Sequence, residues 1–285
     1  MSLATESSSS SPESKFEFAP LNLDKLRREL VRLEDTIIFG LIERSQFKQN
    51  PTSYKKEGIC IKGAGGATQF QGSYFSYYLT ENEKVHAAMR RYTSPDEHPF
   101  TPYKYLPKPM LPELSWPKAL REPNGKWNFN DKILDFYMNK VLTTLCKEGE
   151  DQHFGSSVTC DGSIEALSKR INYGKFVAEI KYRNNRQLVK RLLEAKDIKG
   201  IRSMITKPDV EEKILQRVKL KAVAYGNPEV LSMLDDEIGQ QPKQKEIDRQ
   251  KGKLDPKAIS DLYEEIMELT KQVQMKYLLE RPLDD

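Results

Sequence analysis

Arg170 and Lys181 stand eleven residues apart in a proline-free run from Leu167 to Tyr182. Its apolar residues Leu167, Ile171, Phe176, Val177 and Ile180 recur at the three-and-four spacing of a helix. Eleven steps of 100° are nearly three whole turns, so one helix would present both cations from a single stripe, about 16 Å apart along the axis. Gly174 and Val177 lie between them on that stripe. A glycine inside a helix costs about 1 kcal/mol relative to alanine, which predicts a close approach to the backbone there. Two long cations across a small-residue floor would hold a compact dianion along the helix. The same residues also suit an ordinary solvated face.

The elements that must position this run follow from periodicity. A long amphipathic helix is predicted from Asn22 to about Phe47, with Leu26, Leu30, Leu33, Ile37, Leu41 and Phe47 as its buried stripe. Arg27 lies beside that stripe, where an arginine at the edge of a core often snorkels. Residues 48–68 contain Pro51 and four glycines and read as a loop. Its Gly63-Ala64-Gly65-Gly66 lacks the lysine and hydroxyl residue of a phosphate loop. Phe70, Tyr74, Phe75, Tyr77 and Tyr78 open a helix towards Arg91, their crowding suited to a core or subunit interface. Eight prolines from Pro95 to Pro123 forbid a long helix.

Helical period returns from Asn130 to Cys146, and Lys147 to Asp161 reads as a polar loop before a central helix starting near Gly162. Short helices at Arg186–Ala195 and Ile198–Ile205 lead to a strong start signal at Pro208-Asp209-Val210-Glu211-Glu212. The stretch 235–253 is charged and poor in apolar residues, a mobile loop before a last helix starting near Asp255-Pro256. No strand alternation is found, so the expected fold is all-α: one multi-helix domain with long first, central and last amphipathic helices. Residues 1–18 are assigned to a disordered tail and 19–285 to the domain.

Composition narrows the function. Charged residues are 31% and apolar ones 38% of the 285, with a net charge of +4. That charge is too small and dispersed to suggest nucleic acid. No apolar stretch reaches the eighteen residues of a membrane span. Three cysteines and three histidines make no metal-ligand spacing, and the odd cysteine count fits a reducing compartment. The serine-rich start has no apolar core for a secretory signal, and its two acids with no arginine make a poor transit peptide. The cytoplasm is expected, or the plastid stroma if a transit peptide precedes Met1.

Five further blocks accompany the central run: Arg27 to Phe39, Leu41 to Ser45, Met89 to Glu97, Val210 to Leu215, and Thr270-Lys271-Gln272-Val273 through Tyr277-Leu278-Leu279. Together, and in this order, they resemble the all-helical chorismate mutases of fungi and plants. The resemblance implies a homodimer that converts chorismate to prephenate by an intramolecular pericyclic rearrangement, in phenylalanine and tyrosine synthesis. It implies no cofactor and no metal. Carried over residue by residue, Arg27 and Arg170 would bind the two substrate carboxylates, for which the planar guanidinium fork is suited. Lys181 would donate to the ether oxygen, Glu211 would accept from the ring hydroxyl, and Thr270 would support a carboxylate. On pattern alone the plainer readings win, Glu211 as a helix-dipole acid and Thr270 as a core hydroxyl bonded to its own helix.

Two positions depart from the related enzymes. Lys207, also assigned to substrate binding, stands where the fungal enzymes have asparagine, which puts recognition of the ring hydroxyl in doubt. Gln274 stands where glutamate is usual. An ether oxygen only accepts, so glutamate must be protonated to donate to it, whereas glutamine donates at any pH. A flat rate profile from mildly acidic to basic pH follows. The resemblance also implies regulation by tyrosine and tryptophan at Arg90, Arg91, Gly155, Ser156 and Thr159. Here the stretch from Asp161 to Arg170 is one residue shorter than in the fungal enzymes, and His153 replaces an asparagine. The competing readings are a catalytically inactive helical scaffold that keeps the fold and an unrelated helical interaction protein.

Overall fold

The computed structural model describes residues 21–61, 70–112, 114, 118–121, 127–226 and 255–282. The tail 1–18, the glycine run at 63–66 and the stretch 235–253 lie outside the described residues. Helix α1, Leu23–Arg44, is started by Asn22, whose side chain accepts from the amides of Asp24 and Lys25. Those amides have no carbonyl one turn back, so the cap supplies their missing partner. Leu26, Leu33, Ile37 and Leu41 are buried, while Leu30 and Phe47 are only half-buried. A one-turn helix α2, Pro51–Tyr54, appears where the sequence suggested loop, with Pro51 at its first position.

Helix α3, Tyr74–Ala88, begins with a reciprocal cap between Ser73 and Ser76. Its aromatic residues serve the core: Phe75 is buried, and Tyr74 and Tyr78 pack beside it. A 3-10 turn, Arg91–Thr93, follows α3, and the described part of the proline-rich segment holds only the 3-10 turn Tyr103–Tyr105. Helix α4, Asn130–Phe136, passes through a widened turn, Tyr137–Val141, into α5, Leu142–Leu145. Helix α6, Phe154–Cys160, corrects the expected loop at 147–161; its run of glycine, serines and threonine has weak intrinsic propensity, so packing rather than pattern forms it.

The predicted central helix is two. Helix α7, Ser163–Asn172, and α8, Gly174–Asn184, meet at Tyr173, which keeps helical backbone angles. Helices α9, Arg186–Glu194, and α10, Ile198–Ile205, follow, then α11, Pro208–Gly226, and α12, Pro256–Glu280. Asp255 caps α12, whose first residue is Pro256. Among the described residues there is no strand, and no helix is long and apolar enough to cross a membrane.

Packing places α12 against α7, α8 and α11, and α1 against α7 and α11. Ile37, Ile133, Leu167, Ile171, Val218 and Ile266 form part of the resulting core. The close approach predicted at Gly174 is made by α12: a Cβ added there would lie 2.8 Å from the Thr270 carbonyl oxygen and 3.1 Å from a Val273 methyl. The glycine is therefore a helix–helix contact and not a floor under a ligand. Its effect is to bring α12 close enough for Thr270 and Gln274 to meet the two cations.

Candidate active site

Arg170, near the end of α7, is 6% exposed. Its Nε donates to the Tyr263 hydroxyl at 3.3 Å and its Nη1 to Thr270 Oγ1 at 3.4 Å. Thr270 gives its own hydroxyl proton to the Ile266 carbonyl at 2.7 Å, so its oxygen faces Arg170 as an acceptor. Lys181, on α8, donates to Gln274 Oε1 at 3.1 Å and to the Ile205 carbonyl. Ile205 is the last residue of α10, and its carbonyl is one of those a helix leaves unpaired at its negative end. The two cations start eleven residues apart yet reach α12 only one turn apart, at Thr270 and Gln274.

Neutral partners surround both cations. Among the described residues neither Arg170 nor Lys181 makes an ion pair; their hydrogen-bond acceptors are hydroxyls, a carbonyl and an amide oxygen. Burial, reinforced by the like charge of Lys207, pulls the Lys181 ammonium down to about 8, with Glu211 acting in the opposite direction. Lys207 and Glu211 thus stand close enough to be felt at Lys181. Lys207 itself is exposed. Glu211, in the first turn of α11, accepts from Lys271 Nζ at 3.1 Å. The protonated ammonium of Lys181 has donors only, so it holds the Gln274 amide with its oxygen towards Lys181 and leaves the NH2 to donate elsewhere.

Arg27 is not brought into this group. It lies on the exposed side of α1, paired with Asp24 at 3.1 Å, and its side chain is 59% exposed. Its neighbours in the helix explain how near it nonetheless is. Leu26 packs on Phe176 and Ile180 of α8, and Leu23 and Leu30 border the same cluster. The turn of α1 that carries Arg27 is therefore packed on the helix that carries Lys181, while the Arg27 guanidinium is paired with Asp24.

Of the residues assigned to effector binding, Gly155, Ser156 and Thr159 share α6, where Thr159 Oγ1 donates to the Gly155 carbonyl at 2.7 Å. Arg90 donates to the Pro112 carbonyl at 2.6 Å. Arg91 is bound internally, to Glu165 and, at 3.1 Å, to Glu97. No hydrogen bond or ion pair joins either arginine to α6 among the described residues. The shared ion-pair network reaches the central helices instead: Lys169 bonds Asp96 at 3.0 Å and Glu97 at 2.7 Å, and Tyr173 bonds Asp96 at 2.9 Å.

Comparison with known proteins decides the family. The family model described as Chorismate mutase type II matches residues 161–275, the segment holding Arg170, Lys181, Glu211, Thr270 and Gln274. Chorismate mutase 1, chloroplastic, of Petunia hybrida is 42% identical over 261 residues, covering 91% of this chain and 75% of its own. The chain belongs to the chorismate mutase family. A crystal structure of the Candida albicans chorismate mutase Aro7p in complex with L-Trp has a TM-score of 0.76 and 38% identity, covering 92% of each chain. The structure of AtCM1 with phenylalanine in its allosteric site also gives 0.76 and 38%, covering 95% of this chain and 99% of that one. As a chorismate mutase, the protein is an isomerase that converts chorismate to prephenate.

Chorismate mutase chemistry gives the cluster its meaning, and three of its members were not found from the sequence. Tyr263 lies seven residues before Thr270, two turns back on the same face, a spacing that could have flagged it. The Ile205 carbonyl carries no side-chain signal. Lys271 was visible only as part of a motif block.

Proposed function

We propose that Arg170 and Lys181 bind and fold chorismate, which carries two carboxylates, an ether oxygen and a ring hydroxyl. The observation that supports this is a buried arginine and a half-buried lysine whose hydrogen-bond partners are all uncharged. Burying a charge without a counter-ion is unfavourable, and an anionic substrate would supply the missing neutralisation. The rearrangement breaks the carbon–oxygen ether bond as a carbon–carbon bond forms, within one molecule and with no proton or electron supplied from outside. The protein contributes confinement of a compact conformer and donors placed where charge grows on the ether oxygen. Lys181 is one such donor and the free NH2 of Gln274 the other. Arg170, supported by Thr270 and Tyr263, takes a carboxylate, and Glu211 accepts from the ring hydroxyl.

Arg27 supplies the second carboxylate contact by exchanging Asp24 for substrate. Its pair with Asp24 is exposed, and such pairs contribute about 0–1 kcal/mol, so little opposes the exchange. Following the loss of chorismate absorbance tests the whole reading. Wild-type protein turns over, Arg170→Ala loses about a thousandfold in kcat/KM, and Arg27→Ala loses about tenfold or more. An unchanged rate in Arg170→Ala contradicts the assignment.

Relatives support two further parts of the reading. Solved relatives hold phenylalanine, tyrosine or tryptophan, so aromatic amino acids are the effectors to titrate, with α6 and the Arg90–Arg91 turn as the region to mutate. A homodimer accords with the exposed apolar residues Val85, Met89, Met110 and Leu111, joined where the Met110 amide bonds the Ala88 carbonyl at 2.9 Å; sedimentation of Met89→Glu tests it, with dissociation expected. Relatives from Petunia, Arabidopsis and maize are named chloroplastic, which favours the plastid over the cytoplasm, a point that organelle fractionation of source tissue checks. Residues 19–285 act as one domain, so a chain shortened to start at residue 19 should keep the wild-type kcat/KM.

A further inference from the structure

An alternating line of charge crosses three helices beside the active site. Arg202, on α10, donates from one nitrogen to both oxygens of Glu268 on α12, at 2.9 and 2.8 Å. Lys271, one turn along α12, lies 3.3 Å from Glu268 Oε2 and 3.1 Å from Glu211 Oε2 on α11. Partial burial works against the Glu268 charge, and Arg202 and Lys271 overcome it, holding that carboxyl below the usual range. Lys271 and Glu211 are far less exposed than a surface pair, at 16% and 26%. Such a pair keeps more of its attraction than one open to water.

Resting on the reading of Glu211 as acceptor for the ring hydroxyl, we propose that Lys271 is the positioning residue for Glu211. It occupies one carboxylate oxygen and leaves the other to the substrate. Glu211 Oε1 makes no hydrogen bond among the described residues, while Oε2 is the atom that Lys271 holds. A carboxylate tethered at one oxygen cannot rotate away, so the remaining lone pairs keep one direction. Lys271 is the residue after Thr270, about 100° further round α12, which turns it from the carboxylate side towards α11. Glu268 balances the second half of its charge, so Lys271 serves Glu211 without adding a net cation to the site. The Arg202 end of the line fixes α10, whose last carbonyl receives Lys181. One set of ion pairs therefore registers the hydroxyl acceptor and the ether-oxygen donor against the same helix.

The test is a double-mutant cycle on kcat/KM for chorismate, with Lys271→Met, Lys271→Arg, Glu211→Gln and the Lys271→Met/Glu211→Gln pair. Lys271→Met should lose about tenfold, chiefly in KM, Lys271→Arg should stay within about threefold of wild type, and the double variant should be no worse than Glu211→Gln alone. A double variant whose loss is the product of the single losses overturns the proposal, as does Lys271→Met at wild-type rate. If Glu211→Gln itself has wild-type kcat/KM, the hydroxyl-acceptor reading fails and this proposal falls with it. Lys271→Ala removes both the donor and its reach to α11, and replaces Lys271→Met in the cycle should that variant not fold.

Discussion

Buried cations occur in two settings in this molecule. Arg44 is fully buried and meets Asp161 at 3.0 Å, with Tyr54 and Tyr137 each donating to the same carboxylate at 2.6 Å. Its other nitrogens reach the carbonyls of Lys48 and Gln49, both at 2.9 Å. Arg281, 5% exposed, likewise meets Glu179 at 2.8 Å. Arg170 is buried as deeply as Arg281 yet meets only hydroxyls. Under the proposed function, the setting of neutral dipoles is the one that an anionic substrate would complete, whereas the paired cations serve the fold.

Exchanging the cations for neutral side chains should separate the two settings, and the largest effect belongs to the active site. Arg170→Met is expected to lose about a thousandfold in kcat/KM, roughly 4 kcal/mol of transition-state stabilisation, while its melting temperature stays close to wild type. No carboxylate is stranded by that change. Arg44→Met should do the reverse, keeping kcat per folded molecule but losing about 3–5 kcal/mol of stability, because Asp161 is left buried without its counter-ion. Calorimetry beside the absorbance assay reads both. A melting temperature that falls equally in the two variants would remove the distinction.

A smaller effect bears on the donor at position 274. Gln274→Glu should be slower than wild type by about tenfold at pH 7 and regain activity as pH falls, since only the protonated acid can donate to an ether oxygen. A Gln274→Glu profile that matches the wild-type one from mildly acidic to neutral pH would show that the ether oxygen has no donor there.

Residue pattern reached much of this and stopped at identifiable places. The long first and last helices announced themselves, because caps such as Asn22 and Asp255 and the stripe through Ile37 and Leu41 are local properties of the chain, whereas the break at Tyr173 in the central run did not. Helix α6 did not, since Gly155-Ser156-Ser157 has no period and owes its helix to packing. Gly174 signalled a close approach but could not say that α12 made it, because a glycine records space and not its occupant. The same limit hid the role of Arg44, at the end of α1, whose partner Asp161 is 117 positions away. Arg170 and Arg27 look alike as motif residues. Their burial differs because α12 covers one and solvent the other, which depends on long-range packing. Resemblance named the site residues, but it did not show that Lys181 leans on Ile205 or that Lys271 holds Glu211.

The smallest expected effect tests the departure at Lys207. Lys181 must be protonated to donate to the ether oxygen, and its value of about 8 in the free enzyme places a basic limb on kcat/KM. The flat profile expected from Gln274 therefore holds only up to roughly neutral pH and bends downward above it. Burial is the main cause of that low value and the neighbouring charge of Lys207 the second, so Lys207→Asn should move the basic limb to higher pH while leaving the acidic side unchanged. Stability runs the other way in the same window. Between about 8 and the ordinary 10.5 the unfolded chain keeps the Lys181 proton that the folded chain has released, so this group's contribution to stability rises with pH while activity falls. Comparing wild type with Lys181→Met by denaturation at pH 7.5 and 9.5 isolates that contribution. A basic limb that stays in place in Lys207→Asn would mean that Lys207, exposed at the head of α11, is too well solvated to act on Lys181, and that burial alone sets it.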